Sequence, residues 1–159
     1  MRLVFLDIDG VLNTASAYDW GVKPLALICP DNVAYFNSII EQTECKIVVS
    51  SSWRMSIHEG DMTLVGFQEM LRSHGMRGKV VGCTPSGEQA AERWQEIRQF
   101  LDENSPSFEI ESYVVIDDDC DAGEGHPFVR TDCRLGLTKQ DAAQAIELLL
   151  HPHQPGGSG

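Results

Sequence analysis

Three short, unbroken apolar runs in this chain each stop at a cluster of polar residues. Residues 2–6 (RLVFL) lead into Asp7-Ile8-Asp9-Gly10, residues 46–49 (KIVV) into Ser50-Ser51-Ser52, and residues 112–116 (SYVVI) into Asp117-Asp118-Asp119. Runs that are apolar throughout, rather than at alternate positions, suit strands buried on both faces of a parallel sheet. Parallel neighbours cannot be joined by a tight turn, so a helical crossover is required between them. The intervening segments have the helical period. The pattern therefore predicts a three-layer, doubly wound, Rossmann-like α/β domain.

The remaining elements fit that scheme. Asp31 is placed to cap a helix reaching about residue 43, with Val33, Phe36, Ile39 and Ile40 on one face. Leu64, Phe67, Met70 and Leu71 mark a helix around 62–74, and Lys79–Gly82 reads as a third strand. Ser86 with Gln89 forms a capping-box pattern for a helix to about 103, with Ala90, Trp94, Ile97 and Leu101 inward. Phe128–Arg130 reads as a short fifth strand. A last helix starts at Thr138, with Asp141 completing its cap and Ala142, Ala145, Ile146 and Leu149 buried.

The chain of 159 residues is a one-domain length, divided here into a core over 1–150 and a disordered tail over 151–159, whose GGSG end resembles an added linker. No apolar run is long enough to span a membrane, and the early carboxylates Asp7 and Asp9 rule out a signal peptide over the first ten residues. A cytoplasmic protein is the expectation. The five cysteines are odd in number and form no CxxC pair, so reduced thiols are expected rather than a zinc site or a disulfide framework. The net charge of −12 disfavours unaided binding to nucleic acid, although clustered carboxylates are what a hard divalent cation needs.

In open α/β sheets, ligands bind beyond the carboxyl ends of the strands. Asp7 and Asp9, two residues apart just past a strand, can face one site. Two such carboxylates ionise together only with a cation or hydrogen bonds between them. A magnesium ion would hold Asp7 as an anionic nucleophile, leaving Asp9 to carry a proton to the leaving oxygen. Gly10 lets the chain turn sharply and come close to a ligand. The hydroxyls and backbone N–H groups after residue 49 can hold phosphate oxygens, with Arg54 as an added contact or a brace. Asp117, Asp118 and Asp119 repel one another unless something positive is bound, and their hard oxygens suit Mg²⁺.

FLDIDGVLN, IVVSSS and VVIDDD resemble the first, second and fourth motifs of the haloacid dehalogenase (HAD) superfamily. More narrowly, DIDGVLN with VVSSSWR, RWQEI, VVIDDD and VRTD…GLT looks like the small branch described as Swiss Army Knife RNA repair HAD domains. The resemblance implies that Asp7 is the nucleophile and Asp9 the general acid/base, with the Asp9 backbone carbonyl on the metal. Ser50 would bind the phosphoryl group, with Ser51 as its rival if the register slips by one. Asp117 and Asp118 would join Asp7 and Asp9 in holding Mg²⁺. The charge-balancing cation of the third motif is Arg93, at the start of RWQEI, or else Lys79, ahead of strand three.

Cap domains select substrates in many superfamily members, but the gaps here are too short to hold one, so an open, capless site is expected. Such a site suits a large phosphorylated substrate, and the candidates are nucleic-acid 3′-phosphate ends and small phosphate esters. Tyr18, Trp20 and Trp53 could stack on bases near the site. The rival readings are a phosphotransferase or mutase, and a metal- or phosphate-binding interaction module without turnover. Oligomeric state is left open.

Overall fold

The structure, a computed structural model, describes residues 1–14, 28–50, 60, 62–85 and 92–152. Its strands are β1 (Arg2–Leu6), β2 (Lys46–Val49), β3 (Val80–Cys83), β4 (Ser112–Asp117) and β5 (Phe128–Arg130). Its α-helices are α1 (Pro30–Thr43), α2 (Leu64–Ser73), α3 (Arg93–Phe108) and α4 (Lys139–Leu150), with a short 3-10 turn at Cys120–Gly123. The strands form one sheet in the order β3-β2-β1-β4-β5, and every pairing is parallel. The α/β architecture expected from the apolar runs is the one observed.

Strand β1 is central. Its neighbours β2 and β4 belong to opposite halves of the winding, so the carboxyl ends of β1 and β4 open onto the topological switch point. Alternation along β1 builds both cores at once. Val4 and Leu6 pack with Val33, Phe36 and Ile39 of α1, Phe67 and Leu71 of α2, and Ala142, Ala145 and Leu149 of α4. Leu3 and Phe5 point into a second core with Ile97, Phe100 and Leu101 of α3. The Phe5 ring meets Phe100 and Tyr113 edge to face, with centroids 5.6 and 5.8 Å away. Burying a ring of this size contributes about 2–3 kcal/mol.

Several boundaries differ from the sequence expectation. Helix α1 is capped by Cys29 rather than Asp31, because Pro30 occupies the first helical position, where its missing N–H costs nothing. Asp31 lies in the first turn instead, its charge favourable to the helix dipole. Strand β3 is displaced by one residue, to Val80–Cys83. The N-cap of α3 is Glu92, reciprocally hydrogen-bonded with Gln95, and the helix runs to Phe108 rather than to about 103. The Ser86/Gln89 pattern and Ala90 fall outside the described residues. Phe100 takes a buried position on α3, whereas Trp94 is half-buried, its indole N–H donating to Glu92. Helix α4 has the Thr138/Asp141 capping box as read, although Ile146 is only half-buried.

The segments between Thr14 and Ile28 and between Pro85 and Glu92 are too short to fold as separate domains, so there is no large cap. Among the described residues, no helix is long and apolar enough to cross a membrane. Residues 153–159 of the expected tail lie outside the described residues.

Candidate active site

Asp7 extends the β1–β4 ladder by one rung, its N–H donating to the Ile116 carbonyl at 3.1 Å. Its Oδ1 accepts from the Ile8 N–H at 2.9 Å, and the residue is only 6% exposed. Asp117 ends β4 and is 1% exposed, while Asp118 follows it half-buried. One oxygen from each of Asp7, Asp117 and Asp118 lies within 4.8 Å of the others. Asp9 stands outside this group of three.

Arg93 enters from the first residue of α3. Its Nη1 is 3.4 Å from Asp7 Oδ1 and 3.4 Å from Asp117 Oδ2, and donates a short hydrogen bond to the Ser50 carbonyl. A single guanidinium nitrogen thus joins the ends of β1, β2 and β4. The Arg93 backbone N–H donates to Asp121 Oδ2 at 3.1 Å, which ties the start of α3 to the turn after β4. Lys79, the alternative cation, is exposed at the amino end of β3, on the opposite edge of the sheet.

Burial is the main cause that raises the Asp7 carboxyl above its ordinary range, with the Asp117 charge next; Arg93, Asp118 and the Ile8 N–H act more weakly, Arg93 and the N–H in the opposite direction. Asp117 is raised in the same way, chiefly by burial, against the Asp119 N–H and Arg93. One guanidinium therefore pairs with two of three clustered carboxylates, and acidic groups outnumber it. At the site, two buried oxygens have no hydrogen-bond partner among the described residues, Asp117 Oδ2 and Ser50 Oγ. Leaving such a group unmade costs about 1–3 kcal/mol. Hard oxygen donors, surplus negative charge and a buried carboxylate oxygen with no hydrogen bond beyond its ion pair to Arg93 fit a divalent cation held by Asp7, Asp117 and Asp118.

The loop after β1 is held by its own side chains. Asn13, fully buried, donates to Asp9 Oδ1 at 3.0 Å and accepts from the Gly10 N–H at 2.9 Å. Gly10 has φ +80°, and a Cβ there would lie 2.5 Å from Asp118 Oδ2. The close approach foreseen for this glycine is thus to the acidic loop of β4. The Gly10 carbonyl also accepts from the buried Thr131 hydroxyl at 2.7 Å.

The structure brings Asp7, Ser50, Arg93, Asp117 and Asp118 together at one sheet edge, with Asp9 on the same loop. Ser51, Ser52, Trp53, Arg54, Tyr18 and Trp20 lie outside the described residues. Sequence reasoning gave Asn13, Thr131 and Asp121 no individual role, although Asn13 and Thr131 stand in the DIDGVLN and VRTD motifs and Asp121 just beyond the acidic cluster. The DxDGxxN spacing was a usable signal for Asn13, because a buried Asn just after a sharp turn needs local partners. The contacts of Thr131 and Asp121 had no such signal, since their partners are distant in sequence.

No curated protein and no solved structure matches the chain. The model of one family, described as the HAD domain in Swiss Army Knife RNA repair proteins, matches residues 3–142. That span runs from Leu3 in β1 through β5 to the start of α4, with every site residue named above, and the chain belongs to this family of HAD domains.

Proposed function

We propose that the protein is a magnesium-dependent phosphomonoester hydrolase that works through an aspartyl-phosphate on Asp7. HAD domains are generally phosphoesterase-type hydrolases, which supplies the reaction class. The observation that carries the reading is the convergence of Asp7, Asp117 and Asp118 with the Arg93 guanidinium at the switch point. Asp7, Asp117 and Asp118 would hold Mg²⁺, with the Asp9 backbone carbonyl as a further donor, and the ion would neutralise charge on phosphoryl oxygens and keep Asp7 ionised.

The Asp7 carboxylate attacks phosphorus in line with the ester oxygen, so a P–O bond forms to Asp7 as the bond to the alcohol breaks. Asp9 gives its proton to the departing oxygen. Asp9 then takes a proton from water, whose oxygen attacks the same phosphorus. The bond to Asp7 breaks, inorganic phosphate leaves, and both carboxyls return to their starting states. Ser50 Oγ, buried and without a hydrogen-bond partner among the described residues, can donate to a phosphoryl oxygen, and Ser51 is the second candidate for that contact. Arg93 offsets the charge that builds on the transferring group.

The open site suits a large phosphorylated substrate, with nucleic-acid ends as one candidate and small phosphate esters as the other. The test is hydrolysis of a generic aryl phosphate with and without Mg²⁺. Metal-dependent turnover that disappears in Asp7→Asn is the expected result. Full activity in Asp7→Asn would falsify the nucleophile assignment. Magnesium binding without turnover of any phosphoester would instead identify a non-catalytic module.

A further inference from the structure

An open cleft of about 400 Å³ lies beside Asp118, lined by Arg130, Thr131, Asp132, Cys133 and Arg134. Arg130 is the register partner of Asp117 across the β4–β5 pair, which sets its backbone about 5 Å from that of a cluster carboxylate. Its Nε–H donates to the Asp118 carbonyl at 3.1 Å, which fixes the root of the guanidinium at the mouth of the site. Among the described residues, no ion pair engages its two Nη groups. Arg134 differs, because Asp132 takes it in a two-pronged pair through Nε and Nη2. The cleft thus holds one neutralised cation and one fixed cation whose paired donors are open.

The setting explains why such a cation would matter. The chain carries a net charge of −12, and the acidic cluster adds local repulsion against any substrate with more than one negative group. We propose that Arg130 receives a second anionic oxygen group of the substrate, a phosphate or a carboxylate lying beyond the scissile phosphomonoester. The planar guanidinium presents two parallel N–H donors, which match two oxygens of such a group. Discrimination for doubly anionic esters then arises in this cleft, while the chemistry is carried out at Asp7. This inference rests on the hydrolase reading given above.

The experiment compares kcat/KM within matched pairs that differ by one anionic group. A nucleoside 3′,5′-bisphosphate is set against the two nucleoside monophosphates, and 3-phosphoglycerate against glycerol 3-phosphate. A preference of about tenfold for the doubly anionic member is expected, as one charge-assisted pair of hydrogen bonds supplies it. Preference in the first pair alone identifies phosphate as the second group, and preference in both identifies a general anion subsite. Arg130→Gln should bring the ratio close to one, and Arg130→Lys should keep part of it. Thr131→Val loosens the same loops without removing a cation, so it should slow all substrates alike and leave the ratio standing. A wild-type ratio near one, or a ratio unchanged in Arg130→Gln, overturns the proposal.

If no ester is turned over at all, the hydrolase reading fails, and binding decides the subsite separately. Calorimetry with inorganic pyrophosphate and Mg²⁺ should then show about tenfold weaker binding to Arg130→Gln. Equal affinity of the two proteins overturns the subsite.

Discussion

Replacing Asp7 by Asn should make the metal-free protein more stable, and increasingly so as pH rises. In wild type, burial and the neighbouring carboxylates raise the Asp7 carboxyl above its unfolded value. A raised carboxyl favours the protonated folded chain, so its contribution is fully present below the unfolded pKa of about 3.9 and is lost as pH climbs through the folded pKa. Over that window the folded chain holds a proton that the unfolded chain has released. Each pH unit of this mismatch costs about 1.4 kcal/mol, so moving from about pH 5 to about pH 7 should cost wild type ~2–3 kcal/mol relative to Asn. The amide keeps an oxygen for the Ile8 N–H and removes one charge beside Asp117. Urea denaturation of both proteins in chelator, at the two pH values, measures the difference. Magnesium should then restore the balance toward wild type, by about 2.7 kcal/mol at roughly a hundredfold excess over Kd. An Asn variant no more stable than wild type at the higher pH, or an advantage that does not grow with pH, would refute this account of the site's electrostatics.

Other outcomes follow from single contacts. Gly10→Ala places a methyl group 2.5 Å from Asp118 Oδ2 at a positive φ, so activity should be lost along with about 1–3 kcal/mol of stability, seen as a lower Tm. Arg93→Gln should lower kcat for aryl phosphate by roughly a hundredfold or more, whereas Lys79→Gln, altered on the far edge of the sheet, should match wild type; steady-state kinetics on the pair separates the two cations. Asn32 donates to the Leu135 and Leu137 carbonyls ahead of α4, so Asn32→Ala should cost about 1–3 kcal/mol in denaturant titrations, with KM little changed.

The sheet was legible in the sequence because buried parallel strands leave a strong mark. KIVV and SYVVI are too apolar to be anything exposed, and each ends where the ladder ends, at a polar residue. The same property placed Asp7, Ser50 and Asp117 at one edge. Helix starts were harder to read, since the box patterns compete on equal local terms. Ser86-x-x-Gln89 and Glu92-x-x-Gln95 both satisfy the spacing; the structure shows the reciprocal hydrogen bonds at Glu92 and Gln95 and docks Arg93, the first helical residue, against Asp7 and Asp117. Arg93 itself could be nominated but not distinguished from Lys79 by spacing. What separates them is which end of a strand each occupies. Thr131, Asp121 and the tie from Gly10 to Asp118 were not legible, because each depends on a partner more than twenty residues away.

Strand β5 has only three residues and sits at the sheet margin, yet the loops after β1 and β4 are fastened to its end, at Arg130 and the following Thr131. Thr131 holds the Gly10 carbonyl, the Thr131 N–H holds Asp117, and Arg130 holds the Asp118 carbonyl. A short margin strand is among the first parts of a domain to open, at a free energy well below that of global unfolding. Alignment of the candidate site should therefore fail as a local event. In rising urea, activity should fade while the helical signal is still intact, and amide exchange at Val129 and Thr131 should run ahead of exchange in β1. The working limit of the site would then be set by its smallest strand, with the two cores still folded around it.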